Sequence, residues 1–247
     1  MPEIKTKHKD ILRLRDVNDM LELIHTLAIT NKPALYTWKD KQAKQHEEEL
    51  ILHYGMTEAL VCLLYLFGKR ISEVLQLTRG DIWTKQGYMY IRFHILKKKS
   101  RTALLLPISK VKRVNIKAQE PLVIPILSYA NQLTDMHMPL FPGHSRPHTI
   151  IVKRKDKETG KIIKTYKYEM KREGFMSRQH AYKILKALNP EAYPHWFRHS
   201  LATELAEQGF NPHELKDWFD WSRYETASSY VEGMPAMTQR ISKRKLV

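Results

Sequence analysis

Residues 195–205 read HWFRHSLATEL, a stretch in which polar side chains recur among apolar ones at helical spacing. His195 and Arg198 are three residues apart, and His199 follows His195 by four, so a helix brings all three polar groups together. Such a cluster favours a site for a proton, a metal ion or a phosphate. From this stretch alone, a structural role remains equally open, with buried histidines and an arginine paired to a surface carboxylate.

The composition indicates a folded protein with a polyanionic partner. The chain has 247 residues, 43% of them hydrophobic, which is enough for one large core or two small ones. Its 42 Lys and Arg residues outnumber its 26 Asp and Glu residues, giving a formal charge of +16. This charge favours nucleic acid as the partner. The single cysteine, Cys62, lies in the apolar run ALVCLLYLF and provides neither a disulfide framework nor a zinc-thiolate cluster.

The sequence also bears on location. No stretch reaches the roughly 18 apolar residues of a membrane span, and the polar start MPEIKTKHKD lacks the apolar core of a signal peptide. We therefore expect an intracellular, cytoplasmic protein.

We expect two regions. Residues 1–49 are predicted to be a helical lead-in or a reduced DNA clamp, with a helix over DVNDMLELIHTLAI that Asp16 caps. Residues 50–247 are predicted to be the main domain with a C-terminal tail, beginning with an apolar core helix that ends at Gly68. Further helices are predicted over SRQHAYKILKAL, PHWFRHSLATELAEQG, NPHELKDWF and YETASSYV.

Two basic hairpins interrupt the helical pattern. The segments YMYIRFHIL and TALLLPI alternate like strands, and the basic turn KKKSR joins them. A second hairpin is predicted at residues 149–170. The fold class is therefore mainly α with a small antiparallel β-sheet near residues 88–108. A nucleic acid should lie with its phosphate backbone across the face that bears both hairpins, with a steep salt dependence. The candidate DNA-binding residues are Lys97, Lys98, Arg101, Lys153, Arg154, Lys155 and Arg223.

A zinc site is the main chemical alternative for the two histidines. Histidines four residues apart on a helix can both ligate a metal ion. The metalloprotease form of that motif needs Glu directly after the first histidine, where this chain has Trp196. Neither a carboxylate cluster nor a cysteine pair offers further ligands. We therefore expect no metal and no cofactor.

Two further segments carry candidate functional residues. In GKRISEVLQLTRGDI, residues 68–82, Arg70 directly follows the end of an apolar helix, and Glu73 is one turn further on. Glu73 can hold the Arg70 guanidinium in one orientation, which would leave it available to an oxyanion. Near the C-terminus, Trp221 precedes Tyr230 by nine residues in DWSRYETASSYVEG.

These three segments together resemble the tyrosine recombinases, also called phage-type integrases. The resemblance depends on Arg70 in G-x-R-I-S-E-x-L-x-L-x-x-x-D, on His195-x-x-Arg198-His199, and on an aromatic residue nine positions before Tyr230. It covers roughly residues 50 to 235. Two features depart from the family pattern. Members usually carry a helical core-binding domain ahead of the catalytic one, and His is commoner than Trp at position 221.

The resemblance implies the catalytic fold of that family and a site-specific recombinase or integrase from a virus, plasmid or other mobile element. Tyr230 would be the nucleophile, leaving a 3′-phosphotyrosyl link and a free 5′-hydroxyl. Arg70 and Arg198 would hold the non-bridging phosphate oxygens, and His195 would accept the proton or hold the phosphate. The partner would be double-stranded DNA, bound by four protomers on two duplexes.

The remaining roles follow from the same resemblance. Trp221 would donate its indole N–H to the phosphate. The general acid would be a lysine among Lys97, Lys98 and Lys99, and Lys99 is favoured because the family's acid commonly lies about eight residues before a proline, here Pro107. Glu73 and His199 would support the groups that contact the phosphate.

Three other functions remain as alternatives. A type IB topoisomerase would use a similar set of residues to relax DNA without exchanging strands. A DNA-binding protein of the same fold would bind without turnover, and a metal-dependent nuclease would lose activity with a chelator. Tyr224 is the rival nucleophile, and only the spacing to Trp221 favours Tyr230.

Overall fold

The structure, a computed structural model, describes residues 11–29, 46–99, 107–143, 147–155, 162–171 and 174–232, and describes side chains within 11–29, 54–95, 109–143 and 174–232. The helices are α1 (Leu14–Ile29), α2 (His46–Phe67), α3 (Ile71–Val74), α4 (Glu120–Gln132), α5 (Arg178–Leu188), α6 (Pro194–Glu207), α7 (Pro212–Phe219) and α8 (Glu225–Val231). The strands are β1 (Ile82–Lys85), β2 (Tyr88–Lys99), β3 (Pro107–Asn115), β4 (Pro147–Lys155) and β5 (Ile162–Lys171).

Helix α2 forms the centre of the hydrophobic core. Its C-terminal half is apolar on every side, and every residue from 59 to 69 is buried. A helix without a polar face must be covered on all sides, and α1, α4 and α6 pack against it. The helix ends at Gly68, which has a left-handed φ of 54° and donates its N–H to the Leu64 carbonyl. The predicted glycine cap is therefore confirmed.

Helix α1 packs into the same core. Val17, Met20 and Ile24 follow one another at intervals of three and four residues and are all buried against it. Just before the helix, the Leu12 N–H donates to the Ser200 hydroxyl of α6 at 2.9 Å. The predicted cap at Asp16 is wrong, because the helix begins at Leu14 and Asp16 lies in its first turn, where it accepts the Arg13 N–H.

The two sheets are both antiparallel. One has the strand order β1-β2-β3, and the other is the two-stranded hairpin β4-β5. On β2, Met89, Ile91, Phe93 and Ile95 alternate along the strand and are buried, so this face of the sheet closes one side of the core. The polar residues between them face outward.

The predicted fold class, mainly helical with a small antiparallel sheet, is confirmed. The hairpin at residues 149–170 is also confirmed. The predicted second strand over TALLLPI is wrong in its extent, because β3 continues from Pro107 to Asn115. Residues 100–106 lie outside the described residues. Strand β1 and helix α4 were not predicted, since β1 has only four residues and Pro125 interrupts the helical pattern of α4.

Gly68 should be intolerant of a side chain. A Cβ there would lie 2.7 Å from the Phe219 ring and 3.0 Å from a Leu201 methyl, in a backbone conformation that disfavours L-residues. Gly68→Ala should therefore lower the free energy of unfolding by about 3 kcal/mol, from left-handed strain plus overpacking. Urea denaturation measures this loss.

Gly87 offers a matched control for that substitution. It also has a positive φ, 77°, but a Cβ there would meet nothing within 4 Å. Gly87→Ala should therefore cost only the backbone strain, about 1 kcal/mol. Equal losses for the two variants would contradict the close approach at Gly68.

Candidate active site

Arg198 joins three segments of the chain. It projects from α6, and its side chain donates from Nη1 to the Gly68 carbonyl at 2.8 Å and from Nη2 to the Phe219 carbonyl at 2.6 Å. The residue is only 3% exposed. Because both carbonyls lie at the ends of helices, α2 and α7, the guanidinium is fixed in position by the backbone of two other elements.

Two aromatic rings enclose the same guanidinium. Its central carbon lies 4.9 Å from the centroid of the Phe219 ring and 5.4 Å from that of the Trp221 ring. Burial, and next the nearby positive charge of Arg70, lower the pKa of Arg198 to about 10. Arg198 therefore stays protonated at neutral pH, and an anion beside it would offset part of the cost of burying the charge.

Arg70 lies at the junction between α2 and α3. Its Nη1 donates to Glu73 Oε1 at 2.9 Å, and the Glu73 side chain is almost fully buried. The Arg70 side chain is 27% exposed. Glu73 therefore holds one side of the guanidinium, and solvent can reach the other. The positive charge of Arg70 is close enough to Arg198 to lower the pKa of that residue. Arg70 from the α2–α3 junction and Arg198 from α6 thus contribute to one positive region.

The two histidines of α6 lie one turn apart. His195 is exposed, and partial burial of its ring, followed by the charges of Arg198, His199 and Arg70, lowers its pKa. A lowered pKa keeps the imidazole neutral at pH 7, the form that can accept a proton. His199 is less exposed, and its Nδ1 lies 3.1 Å from the Tyr230 hydroxyl oxygen.

Tyr230 lies on α8 with its ring stacked on Trp221. The two ring centroids are 5.3 Å apart and the planes differ by 9°. Burial raises the pKa of Tyr230, and the positive charge of Arg198 partly offsets that effect. The hydroxyl therefore lies in the positive region formed by Arg198, on a ring whose orientation Trp221 fixes.

A buried ion pair joins the neighbours of two candidate residues. Lys69 precedes Arg70, and Asp220 precedes Trp221; the Lys69 ammonium pairs with the Asp220 carboxylate and donates to the Trp218 carbonyl at 2.7 Å. Both side chains are essentially unexposed. Burial lowers the pKa of Lys69 to about 8, against the opposing effect of Asp220.

Lys110 of β3 extends this ion pair to the sheet. Its Nζ lies 2.7 Å from the second Asp220 oxygen and 3.1 Å from Asp217. The pKa of Asp220 is lowered, because these cations outweigh the opposing effect of burial. Sequence reasoning missed the Lys69–Asp220 pair. Its only local signal was a charged residue at the end of an apolar helix and another between two aromatic residues.

The structure thus brings Arg70, His195, Arg198, Trp221 and Tyr230 into one region. Tyr224, the rival nucleophile, has its ring packed on His213, with 4.8 Å between centroids, whereas Tyr230 stacks on Trp221. Arg223 is exposed between α7 and α8.

In the charged parts of the basic hairpins, the structure describes only the backbone. Lys97, Lys98 and Lys99 end β2, where Lys99 pairs with Pro107 after a register shift, and Lys153, Arg154 and Lys155 lie on β4. Their side chains, and Arg101 entirely, lie outside the described residues.

The described residues contain neither a candidate metal-binding cluster nor a candidate membrane-spanning helix. Within the part of the chain that the structure describes, no three His, Cys, Asp or Glu side chains group in a way that could hold a metal ion. Among the helices of those residues, none combines the length and apolar character needed to cross a membrane.

Comparison with known proteins was made by sequence and by structure. A model of the phage integrase family matches residues 41–236. The fold is similar to that of XerH site-specific recombinase bound to difH substrate before cleavage, with a TM-score of 0.53, 14% identity, and coverage of 95% of this chain and 53% of that chain. The XerH complex after cleavage, on palindromic difH, gives a TM-score of 0.52, 15% identity, and coverage of 94% and 51%.

XerA recombinase is a third similar structure, with a TM-score of 0.50, 11% identity, and coverage of 100% of this chain and 68% of that chain. The chain spans about half the length of the XerH chains it matches. Comparison with curated proteins gives no match.

The fold is that of the tyrosine recombinase catalytic domains, as the sequence predicted. The family match covers well over half of the residues. The chain belongs to the phage integrase family.

The Lys69–Asp220 pair should contribute to stability. Lys69→Met removes the ammonium and leaves the buried Asp220 carboxylate with one partner fewer, so the free energy of unfolding should fall by about 3 kcal/mol. The double variant Lys69→Met/Asp220→Asn removes both charges and should recover at least about 1 kcal/mol of that loss. Urea denaturation of both variants checks this; a double variant less stable than the single one would contradict it.

Proposed function

We propose that this protein cuts and rejoins double-stranded DNA by transesterification, as a site-specific recombinase or integrase of a mobile element. The observation that carries the proposal is that the Tyr230 ring stacks on Trp221, whose ring lies 5.4 Å from the buried guanidinium of Arg198. A phenol in that position is suited to attack a phosphate whose negative charge the arginines neutralise. The family match supports the same chemistry.

In the proposed reaction, the phenolic oxygen of Tyr230 attacks the phosphorus atom and the bond from phosphorus to the 5′ oxygen breaks. The products are a 3′-phosphotyrosyl bond and a free 5′-hydroxyl. Rejoining is the reverse attack by a 5′-hydroxyl, so the bond energy is conserved and no nucleotide cofactor is needed. Arg70 and Arg198 would donate to the non-bridging oxygens, where the developing charge is greatest.

The leaving 5′ oxygen needs a proton, and we assign this role to a lysine at the end of β2. Lys99 is the preferred candidate among Lys97, Lys98 and Lys99, because its backbone pairs with Pro107 at the end of β2, next to the segment that joins β2 to β3. A lysine on a hairpin has the flexible stem needed to reach the oxygen. Trp221 would donate its indole N–H to the phosphate while its ring stacks on Tyr230.

Double-stranded DNA is the proposed partner. The related XerH structures are of a recombinase bound to its difH substrate, and the formal charge of +16 favours a polyanion here. The basic hairpins and Arg223 would contact the backbone phosphates, which position DNA without reading its sequence. Exchange of strands between two duplexes would require four protomers. The proposed site of action is inside the cell.

Residues 11–29 belong, in this proposal, with the catalytic domain rather than with a separate DNA clamp. Helix α1 shares the core of α2, and Leu12 and Arg13 bond to α6 through Ser200 and Glu207. The C-terminal tail after residue 232 lies outside the described residues.

The test of this function is covalent capture of DNA. A nick placed near the scissile phosphate lets the short cleaved strand diffuse away, so the enzyme stays attached. A pool of nicked duplexes of randomised sequence removes the need to know the target. Wild-type protein should form complexes that survive denaturation in detergent, and peptide mapping should find the DNA on Tyr230.

Tyr230→Phe should form no such complex, whereas Tyr224→Phe, a matched change on the same segment, should behave like wild type. Capture should persist in a chelator, since the mechanism uses no metal. DNA attached to Tyr224, or binding without any covalent product, would overturn the proposal. Relaxation of a supercoiled plasmid without strand exchange would favour the topoisomerase alternative.

A further inference from the structure

We propose that His199 is the base that removes the proton from Tyr230, so that it is a catalytic residue. This inference rests on the proposed function, because it concerns the first step of the same reaction. It goes beyond the supporting role that the family resemblance implies for His199. In this proposal His195 takes no part in proton transfer.

The geometry of the pair carries the inference. His199 Nδ1 and the Tyr230 hydroxyl oxygen are 3.1 Å apart, within the distance for direct proton transfer. The two ring centroids are 5.3 Å apart and the planes differ by 51°. The edge of the imidazole, where the lone pair of a neutral ring lies, is thus directed to the hydroxyl.

The contacts around Arg198 help to position both partners. The Tyr230 ring stacks almost parallel on Trp221, which in turn lies against Arg198. His199 directly follows Arg198 on α6, and that arginine is bonded to two backbone carbonyls. The distance between His199 and Tyr230 is therefore set by the same contacts that fix the phosphate-binding arginine.

The environment of the hydroxyl also favours a side chain over water as the acceptor. Tyr230 is about half-buried, so bulk water has limited access to it. Burial raises the pKa of its phenol, and such a phenol ionises only when a base or a cation assists. Arg198 supplies the positive charge, and the His199 nitrogen supplies the proton acceptor.

The proton balance of the step is simple. The proton on the Tyr230 oxygen moves to His199 Nδ1 of a ring that carries its hydrogen on Nε2, giving an imidazolium. The freed electron pair of the phenolate forms the oxygen–phosphorus bond. The bond to the 5′ oxygen breaks, and the leaving oxygen takes a proton from the lysine at the hairpin. On rejoining, His199 returns its proton to the departing phenolate.

His195 is better suited to bind the phosphate. It lies one turn before His199 at the exposed edge of the site, where the charges of Arg198 and Arg70 act on it. A neutral imidazole in that position can donate one hydrogen bond to a phosphate oxygen that both arginines also face. The two histidines would then have separate tasks.

The experiment uses His199→Asn. The amide of asparagine can occupy the place of Nδ1 and keep a hydrogen bond to Tyr230, but it does not accept a proton near neutral pH. The cleavage rate constant at saturating nicked DNA should fall by about 100-fold or more. The dissociation constant for DNA should stay within about 3-fold, because a lost proton transfer affects the transition state and not binding.

Two chemical rescues identify the step. A fluorinated tyrosine at position 230, whose phenol is more acidic, needs less help from a base and should restore most of the rate in His199→Asn. A 5′-phosphorothiolate substrate, whose sulfur leaves without a proton, bypasses only the acid and should not restore it. The same fluorinated tyrosine should not rescue His195→Asn.

His213→Asn is the matched control, since His213 also packs on a tyrosine ring, but on that of Tyr224 and not on that of Tyr230. It should cleave at the wild-type rate. The inference is overturned if wild-type protein captures DNA on Tyr230 while His199→Asn cleaves equally fast, or if the phosphorothiolate rescues it. Failure of the wild type itself to capture DNA would instead overturn the proposed function.

Discussion

The position of the Arg198 guanidinium is the constraint on which the rest of the site depends. Its two hydrogen bonds, to the carbonyls of Gly68 and Phe219, join the end of α2 to the end of α7. The buried pair of Lys69 and Asp220 joins the same two ends through side chains. Arg70 and Trp221 each follow directly in sequence. The interactions that hold the ends of α2 and α7 together therefore also fix the backbone positions of Arg70 and Trp221.

This arrangement concentrates positive charge where little solvent can screen it. Arg198 is buried against two aromatic rings, and the positive charge of Arg70 is close enough to lower its pKa. Buried cations are costly unless they are paired. Asp220 and Glu73 pair with Lys69 and Arg70, whereas Arg198 is bonded to neutral carbonyls. A phosphate group would supply the missing negative charge, which is the part that the DNA backbone plays in the proposed reaction.

The sequence predicted those parts of the structure that local patterns encode. Helices α5 and α7 each have one apolar face that helical spacing reveals. The spacing within HWFRHS places Arg198 and both histidines together on α6. Contacts between distant segments could not be read from spacing. Lys69 and Asp220 are 151 residues apart, and His199 meets Tyr230 across 31 residues. The extent of β3 was missed because its charged residues, including Lys110 and Lys112, look in the sequence like those of an exposed loop. Their hydrogen bonds to Asp217 of α7 are visible only in the structure.

The central claim is that the arginines act on the negative charge of one phosphate, and a neutral substrate tests it most directly. A methylphosphonate at the scissile position replaces a charged non-bridging oxygen with a methyl group. On ordinary DNA, Arg70→Ala should cleave at least about 100-fold more slowly than wild type. On the methylphosphonate, the account predicts that this variant cleaves nearly as fast as wild type. An equally large defect on both substrates would contradict it.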